Sequence, residues 1–463
     1  VHACTHLPIH FLFSCKTTMT PRPEPVVNAP NNDDSSNVTN AAAAPSNEAS
    51  SSSSLPTPPP AAADKHLDHV WCMEESPTNG VLTQDGLEKI ANHKYKSGTY
   101  TALDTFINPM WEALTQMLPL WLAPNLVTTI GGSFCVLAYC VSAYYDFAMT
   151  GDVPDWVLVL NGMCQMIYFT LDCMDGKQAR RTKSSSPLGQ LFDHGIDALG
   201  NLNSVSSCQC IMQNPSKQYL WMHCALQFTF FQAQWEEYYT GVLPHATGNI
   251  GVTEVMYGMA LWSITTGLIF KRTIFGFVMP DFVQEANFPL RSAVVGDITE
   301  PLELRHMLAV VWIYMTTTLS ILSLIRVAQH VKSPGLIASA FSKMITPTLV
   351  CAVALLYLPT DDPNSIRYAS LSLGLCLCLS TIKIIVFSMG RMAFASFQLD
   401  TIPFFVVAAI GTQTPSMNST LYAMLAAYYG IRLSTWAGSA IHHICNRLNI
   451  QLFRIKYPQL KEE

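Results

Sequence analysis

Residues 172–197 read DCMDGKQARRTKSSSPLGQLFDHGID. They place Asp172, Asp175, Asp193 and Asp197 at short, regular spacings inside a chain that is otherwise mostly apolar. Two like charges about 4 Å apart repel by roughly 4 kcal/mol at an effective dielectric near 20, so such a cluster is costly without a counter-charge. Ionisable residues at membrane depth mark a functional site by default. Divalent cations are the simplest agent that neutralises several carboxylates at once. Asp172 and Asp175 are three apart in the sequence, and Asp193 and Asp197 four apart, so within helices each pair shares a face. Between them KQARRTKSSSP reads as a basic, polar turn holding Lys177, Arg180, Arg181 and Lys183. The spacing predicts two facing helices at a membrane surface, with the acids together and a cationic loop beside them. Magnesium favours carboxylate oxygens and keeps coordination positions open for substrate phosphates.

Composition sets the surroundings of this stretch. Of 463 residues, 13% are charged and 49% hydrophobic, against about 25% charged in a soluble domain. Mean hydropathy is +0.24 in spite of a long polar tail. The net charge of −6 comes without a basic face, which argues against a nucleic-acid partner. The 14 cysteines are scattered through apolar runs such as LGLCLCL near residue 373, without zinc-like spacing or a disulfide framework. Residues 1–86 contain NNDDSSNVTNAAAAPSNEASSSSSLPTPPPAAA. This material cannot bury enough apolar area to offset its ordering entropy, and it is read as a disordered cytosolic tail. The next stretch, 87–124, includes DTFINPMWEALTQMLPLWLAP, where aromatic and apolar residues alternate with Glu112 and Gln116. That pattern suits an amphipathic helix lying at a membrane interface.

From Asn125 onward the chain is a series of apolar runs, each close to the roughly 20 residues a span requires. Ten candidates fall near 125–147, 154–174, 187–212, 219–240, 250–270, 307–327, 338–358, 368–389, 398–412 and 418–441. The expected fold is therefore an all-α polytopic membrane protein of about ten transmembrane helices. Its catalytic domain is 125–441, followed by a cytosolic tail at 442–463. The third and fourth runs are polar for spans and should face the bundle interior, and the ninth is short. Lys and Arg placement puts the 177–183 cluster in the cytosol, with Arg326, Lys332, Arg391, Arg447 and Arg454. The long loop holding Lys271, Arg272, Arg291 and Arg305 dissents from this assignment.

The acidic stretch fits the pattern D-x2-D-G-x2-A-R-x8-G-x3-D-x3-D at every fixed position: Asp172, Asp175, Gly176, Ala179, Arg180, Gly189, Asp193 and Asp197. It resembles the signature of the CDP-alcohol phosphotransferase family. The longer text DGKQARRTKSSSPLGQLFDHG looks like the eukaryotic choline/ethanolamine phosphotransferase branch, with Gln190 where Glu is more often expected. HKYKSGTYTALD near residue 93, PLWLAPNLVTTIG near 119 and WEEYYTGVL near 235 extend the likeness over most of 88–456.

The resemblance implies transfer of phosphocholine or phosphoethanolamine from CDP-choline or CDP-ethanolamine to diacylglycerol, releasing CMP. It implies two Mg2+ (or Mn2+) ions held by Asp172, Asp175 and Asp193, with Asp197 contributing to the second. It also implies nucleotide contacts at Asn125 and Thr128, a homodimer, and a place in the endoplasmic reticulum, with the Golgi as alternative. The residues themselves fit this chemistry. Gly176 and Ala179 leave room for a nucleotide to approach the backbone, and Arg180 offers a planar donor fork to phosphate. Gly189 reads as a helix-packing glycine. Either His194 or Asp197 is the candidate base for the acceptor hydroxyl. Glu236 and Glu237 are candidates to face a cationic headgroup, or else an interfacial pair beside Trp235 and Tyr238. Two other classes remain: an inositol or glycerol-phosphate transferase of the same family, and a transporter with acids along its path.

Overall fold

The computed structural model describes residues 82–455, apart from residues 97, 99, 215, 245, 248–249, 271 and 286–300. The tail expected at 1–86 therefore lies almost wholly outside the described residues, as do Arg291, Lys271 and the chain end beyond 455.

The described residues are almost entirely helical. A short helix α1 (Gln84–Ala91) and α2 (Ala102–Met117) precede α3 (Pro124–Tyr145), α4 (Asp155–Arg181), α5 (Pro187–Met212), α6 (Ser216–Thr240) and α7 (Val252–Leu268). After a loop with one helical turn at Asp281–Gln284 come α8 (Leu304–Val331), α9 (Pro334–Ser342), α10 (Ile345–Tyr357), α11 (Ile366–Met389), α12 (Ile402–Gln413) and α13 (Asn418–Leu448). A two-residue antiparallel pairing, Ala246–Thr247 with Ile250–Gly251, closes the turn before α7. Each of the ten apolar runs overlies a helix or, for the seventh, the α9–α10 pair. Five units are long and apolar enough to cross a membrane: α3, α4, α8, α9–α10 together, and α11.

Helix ends follow local chemistry. Thr101 and Asp104 form a reciprocal capping box at α2: the Asp104 N–H donates to Thr101 Oγ1 at 3.1 Å, and the Thr101 N–H to Asp104 Oδ2 at 2.8 Å. Ser186 caps α5, and Pro187 at its first position has no N–H to leave unpaired. α4 continues through Lys177, Arg180 and Arg181 and stops at Thr182. The basic turn expected at 177–187 thus shrinks to residues 182–186. Helix persists because Lys, Gln, Ala and Arg are good helix formers and Ser184 N–H closes back on Ala179 O at 2.9 Å.

α4 is held between α3 and α7. A Cβ at Gly162 would meet Ala260 O at 2.5 Å, so only glycine lets α4 and α7 approach this closely. α5 and α6 are polar yet buried: Asn203, Ser207, His223 and Gln227 are all at most 2% exposed. Their polarity is turned into the bundle, as expected for the third and fourth runs. A second apolar core joins α6, α10, α11 and α13 through Leu220, Ala354, Leu377 and Tyr429.

Candidate active site

Two helices and one turn build the site. α4 carries Asp172 and Asp175 one helical turn apart, the turn at 182–186 reverses the chain, and α5 returns with Asp193 and Asp197. Carboxylate oxygens of Asp172, Asp193 and Asp197 lie within 4.8 Å of one another. At that separation each charged pair repels by roughly 3 kcal/mol at an effective dielectric near 20. Asp172 Oδ1 and Asp193 Oδ1 are buried and have no hydrogen-bond partner. Buried acceptors without donors are rare in folded proteins and call for a water or an ion. An all-oxygen, convergent donor set suits a hard divalent cation such as Mg2+ or Mn2+.

Asp175 stands beside this group rather than in it. It is 6% exposed, and its Oδ2 accepts a short hydrogen bond from the Thr128 hydroxyl on α3. Of the four acids implied by resemblance, Asp172, Asp193 and Asp197 are the three whose oxygens converge, while the Thr128 hydroxyl engages one oxygen of Asp175. Asp197 in turn accepts from the Tyr168 hydroxyl. Tyr168 is four residues before Asp172 and so lies on the same face of α4. That spacing was the available signal, but in an apolar run it was not separable from a core tyrosine.

His194 is buried at 5%, with Nε2 4.0 Å from Asp193 Oδ2. The Tyr95 ring meets it edge-on, with centroids 5.7 Å apart at 69°. Burial and the negative charges of Glu237 and Asp193 push the Tyr95 phenol up, so it stays protonated. Tyr95 belongs to the extended segment after α1. In the same segment His93 Nε2 lies 2.9 Å from Gln190 Oε1. Burial lowers the His93 imidazole below its usual range. Gln190 Nε2 donates to Glu237 Oε1 at 2.8 Å.

Other expected site residues divide. Gly176 borders open space, since a Cβ there would meet only Arg180 Nη1, at 3.6 Å. Ala179 is half-buried and Arg180 is exposed, one turn beyond the acids. Asn125 donates through Nδ2 to Leu452 O at 3.0 Å, tying the start of α3 to the C-terminal segment. Gly189 faces Asn125: a Cβ there would lie 3.8 Å from Asn125 Oδ1, an ordinary contact, so helix packing does not require this glycine. Glu236 is turned away from the acids. Arg326 of α8 grips it with a two-point fork, Nε to Oε1 at 2.6 Å and Nη2 to Oε2 at 2.8 Å. Its charge is already answered, whereas Glu237 accepts from Gln190 Nε2 of α5 at 2.8 Å. Lys177 and Arg181 also have structural duties. Lys177 bonds Asn108 and Glu112 of α2, and Arg181 donates to the carbonyls of Thr115, Gln116 and Leu118.

An acidic trio at the end of one helix and the start of the next, close to small residues and an exposed arginine, could hold a metal ion. Residues 121–279 match the family described as CDP-alcohol phosphatidyltransferase. It is 38% identical over 186 residues to Cholinephosphotransferase 1 of Gallus gallus, covering 39% of this chain and 54% of that protein. It is 36% identical over 184 residues to Choline/ethanolaminephosphotransferase 2 of Arabidopsis thaliana, covering 39% and 46%. Uncharacterized CDP-alcohol phosphatidyltransferase class-I family protein 3 of Dictyostelium discoideum is 25% identical over 415 residues, covering 81% and 99%. The matched stretch spans about half the length of the first two relatives. With its apolar helices, the chain is a multi-pass membrane protein.

Proposed function

We propose that this chain transfers phosphocholine or phosphoethanolamine from a CDP-alcohol to diacylglycerol, releasing CMP. The observation that carries the reading is the convergence of Asp172, Asp193 and Asp197 with two buried carboxylate oxygens that lack any donor. The relatives' names supply the donor class. Asp172, Asp193 and Asp197 hold divalent metal, with Asp175 completing the set from beside it. When bound, such ions neutralise the pyrophosphate and polarise the phosphorus under attack.

The remaining steps belong to the chain. Thr128 fixes one oxygen of Asp175, and Tyr168 fixes one oxygen of Asp197, so both carboxylates are oriented before substrate arrives. Arg180, exposed at the rim, offers parallel N–H groups to a donor phosphate. Gly176 and Ala179 let the nucleotide lie against α4. His194 takes the proton from the acceptor hydroxyl, because it is buried beside the acids, with Nε2 4.0 Å from Asp193 Oδ2. Glu237 faces the positive headgroup.

The reading extends to the whole molecule. The ten apolar helices cross the membrane, including α5 and α6, whose polar faces are buried against neighbours. α2 lies at the interface, with Phe106, Met110 and Met117 exposed on one face and Trp111 buried on the other. The motif opens to the cytosol, where CDP-alcohols are made, on a homodimeric enzyme of the endoplasmic reticulum. Two arginines of the dissenting basic loop have local partners: Arg272 donates to Gly151 O at 3.0 Å and Val153 O at 2.6 Å, and Arg305 to Gln213 O at 2.7 Å. The direct test follows labelled CDP-choline and CDP-ethanolamine into lipid with the full chain in diacylglycerol liposomes.

A further inference from the structure

The segment that follows α1 runs beside α5 as a non-helical strap, with His93 against Gln190 and Tyr95 against His194. Its backbone pairs with the loop after α6: Gly98 N–H donates to Leu243 O at 2.9 Å, and Leu243 N–H to Lys96 O at 3.3 Å. Its N-terminal end is anchored by α1, whose Leu87 and Ile90 are buried in the core. Between those anchors the His93 side chain attaches it to α5. Gln190 makes the central attachment, 8% exposed and one helical turn before His194 on α5.

Donor and acceptor chemistry fixes how Gln190 must sit. With Glu237 ionised its carboxylate accepts, and the Gln190 amide turns its Nε2 towards it. Its Oε1 then faces His93, whose Nε2 must carry the proton and donate. One amide therefore joins three elements: the strap, α5 and α6. A leucine of similar shape could make neither bond. A carboxylate at 190 would accept from His93 but confront Glu237 across the same short gap. Two residues along the strap, Tyr95 lies edge-on against His194.

We infer that Gln190 is a positioning residue that latches the strap at residues 93–96 against α5 through His93 and Glu237, seating Tyr95 against the His194 ring. The latch holds His194 in one orientation and shields the acceptor hydroxyl from water at the moment its proton leaves. The effect of the latch on turnover rests on the proposed transferase activity; its effect on strap closure does not.

The test uses the full chain in diacylglycerol liposomes with four substitutions and two readouts. Gln190→Leu and His93→Leu should each lower kcat by about 10- to 100-fold, the usual cost of losing a residue that orients a catalytic group, with KM for the CDP-alcohol within about threefold. His93→Gln retains an N–H that can donate to Gln190 Oε1, so it should recover most of the rate. Gln190→Glu should behave like the leucine variant. The second readout is limited trypsin cleavage at Lys94 and Lys96, which requires the strap to lift from α5. Cleavage should quicken in both leucine variants and return towards parental in His93→Gln. Parental cleavage together with parental kcat in Gln190→Leu would overturn the latch. So would a rise in KM with kcat unchanged, which would make Gln190 a substrate contact. If the parental chain transfers no phospho-alcohol, the functional reading fails, and the cleavage pattern alone still decides whether the latch exists.

Discussion

Asp193 carries a buried oxygen with no donor, and it touches both the metal trio and His194. Asp193→Asn replaces a charged ligand with an amide and should abolish transfer while leaving membrane insertion intact. Mn2+ binding, followed by electron paramagnetic resonance on the purified protein, should weaken by at least about tenfold. Unchanged Mn2+ affinity would remove Asp193 from the ligand set. His194 is tested differently. His194→Ala should lower turnover by about 10²–10⁴-fold, as expected for loss of a general base, while Mn2+ and CDP-alcohol binding survive. If instead Asp197 is the base, Asp197→Asn should be nearly inactive and His194→Ala much less affected. At this scale the four acids and Gly176 stand out from spacing and motif, whereas Thr128, implied by resemblance as a nucleotide contact, donates to Asp175. The choice between Glu236 and Glu237 was not readable. Neighbours on a helix point about 100° apart, and nothing in the sequence near Glu236 shows that Arg326, 90 residues later, answers its charge.

Among the elements, α2 and α4 are joined more tightly than an interfacial helix and a motif helix need be. Arg181 ends α4 and caps the last turn of α2, a favourable place for a cation. Lys177 reaches Glu112 across the same gap, and the Trp111 N–H reaches the Tyr257 hydroxyl of α7 at 2.9 Å. Arg181→Ala should lower the melting temperature in detergent by about 2–5 °C. It should also reduce turnover, because α4 positions Asp172 and Asp175. A variant with parental melting and parental turnover would show that the helices act independently. The amphipathic pattern of α2 was legible in the sequence, as was the polarity of α5 and α6. The length of α4 was not: KQARR looked like a loop because it is basic, yet its propensity is helical and its cations are used by α2.

For the molecule as a whole, the sequence conveyed the helical segments more clearly than the number of membrane crossings. All ten apolar runs are helices, but only five units combine the length and apolarity of a span. α5 and α6 fall short because their interior faces are rich in Asn, Gln and Ser, which burial inside a bundle permits. Topology can be read at Ser185, which is exposed in the motif turn. In a background without other reactive cysteines, Ser185→Cys should react with a membrane-impermeant thiol reagent from the cytosolic face. Labelling only from the opposite face would invert the arrangement. Deleting residues 1–80 should leave specific activity within about threefold, roughly 0.65 kcal/mol on the barrier. Complete loss in a correctly inserted truncation would assign those residues a part in the site.

If the acidic trio supports metal-dependent phospho-alcohol transfer to a lipid hydroxyl, the purified full chain in diacylglycerol liposomes should act on radiolabelled CDP-choline or CDP-ethanolamine when Mg2+ is present. Label should enter an organic-soluble phospholipid from at least one donor, with CMP released in equal amount. Both should vanish on chelation of the metal and in Asp193→Asn. Labelled lipid formed equally well after complete chelation, or no lipid product from either donor with metal present, would contradict it.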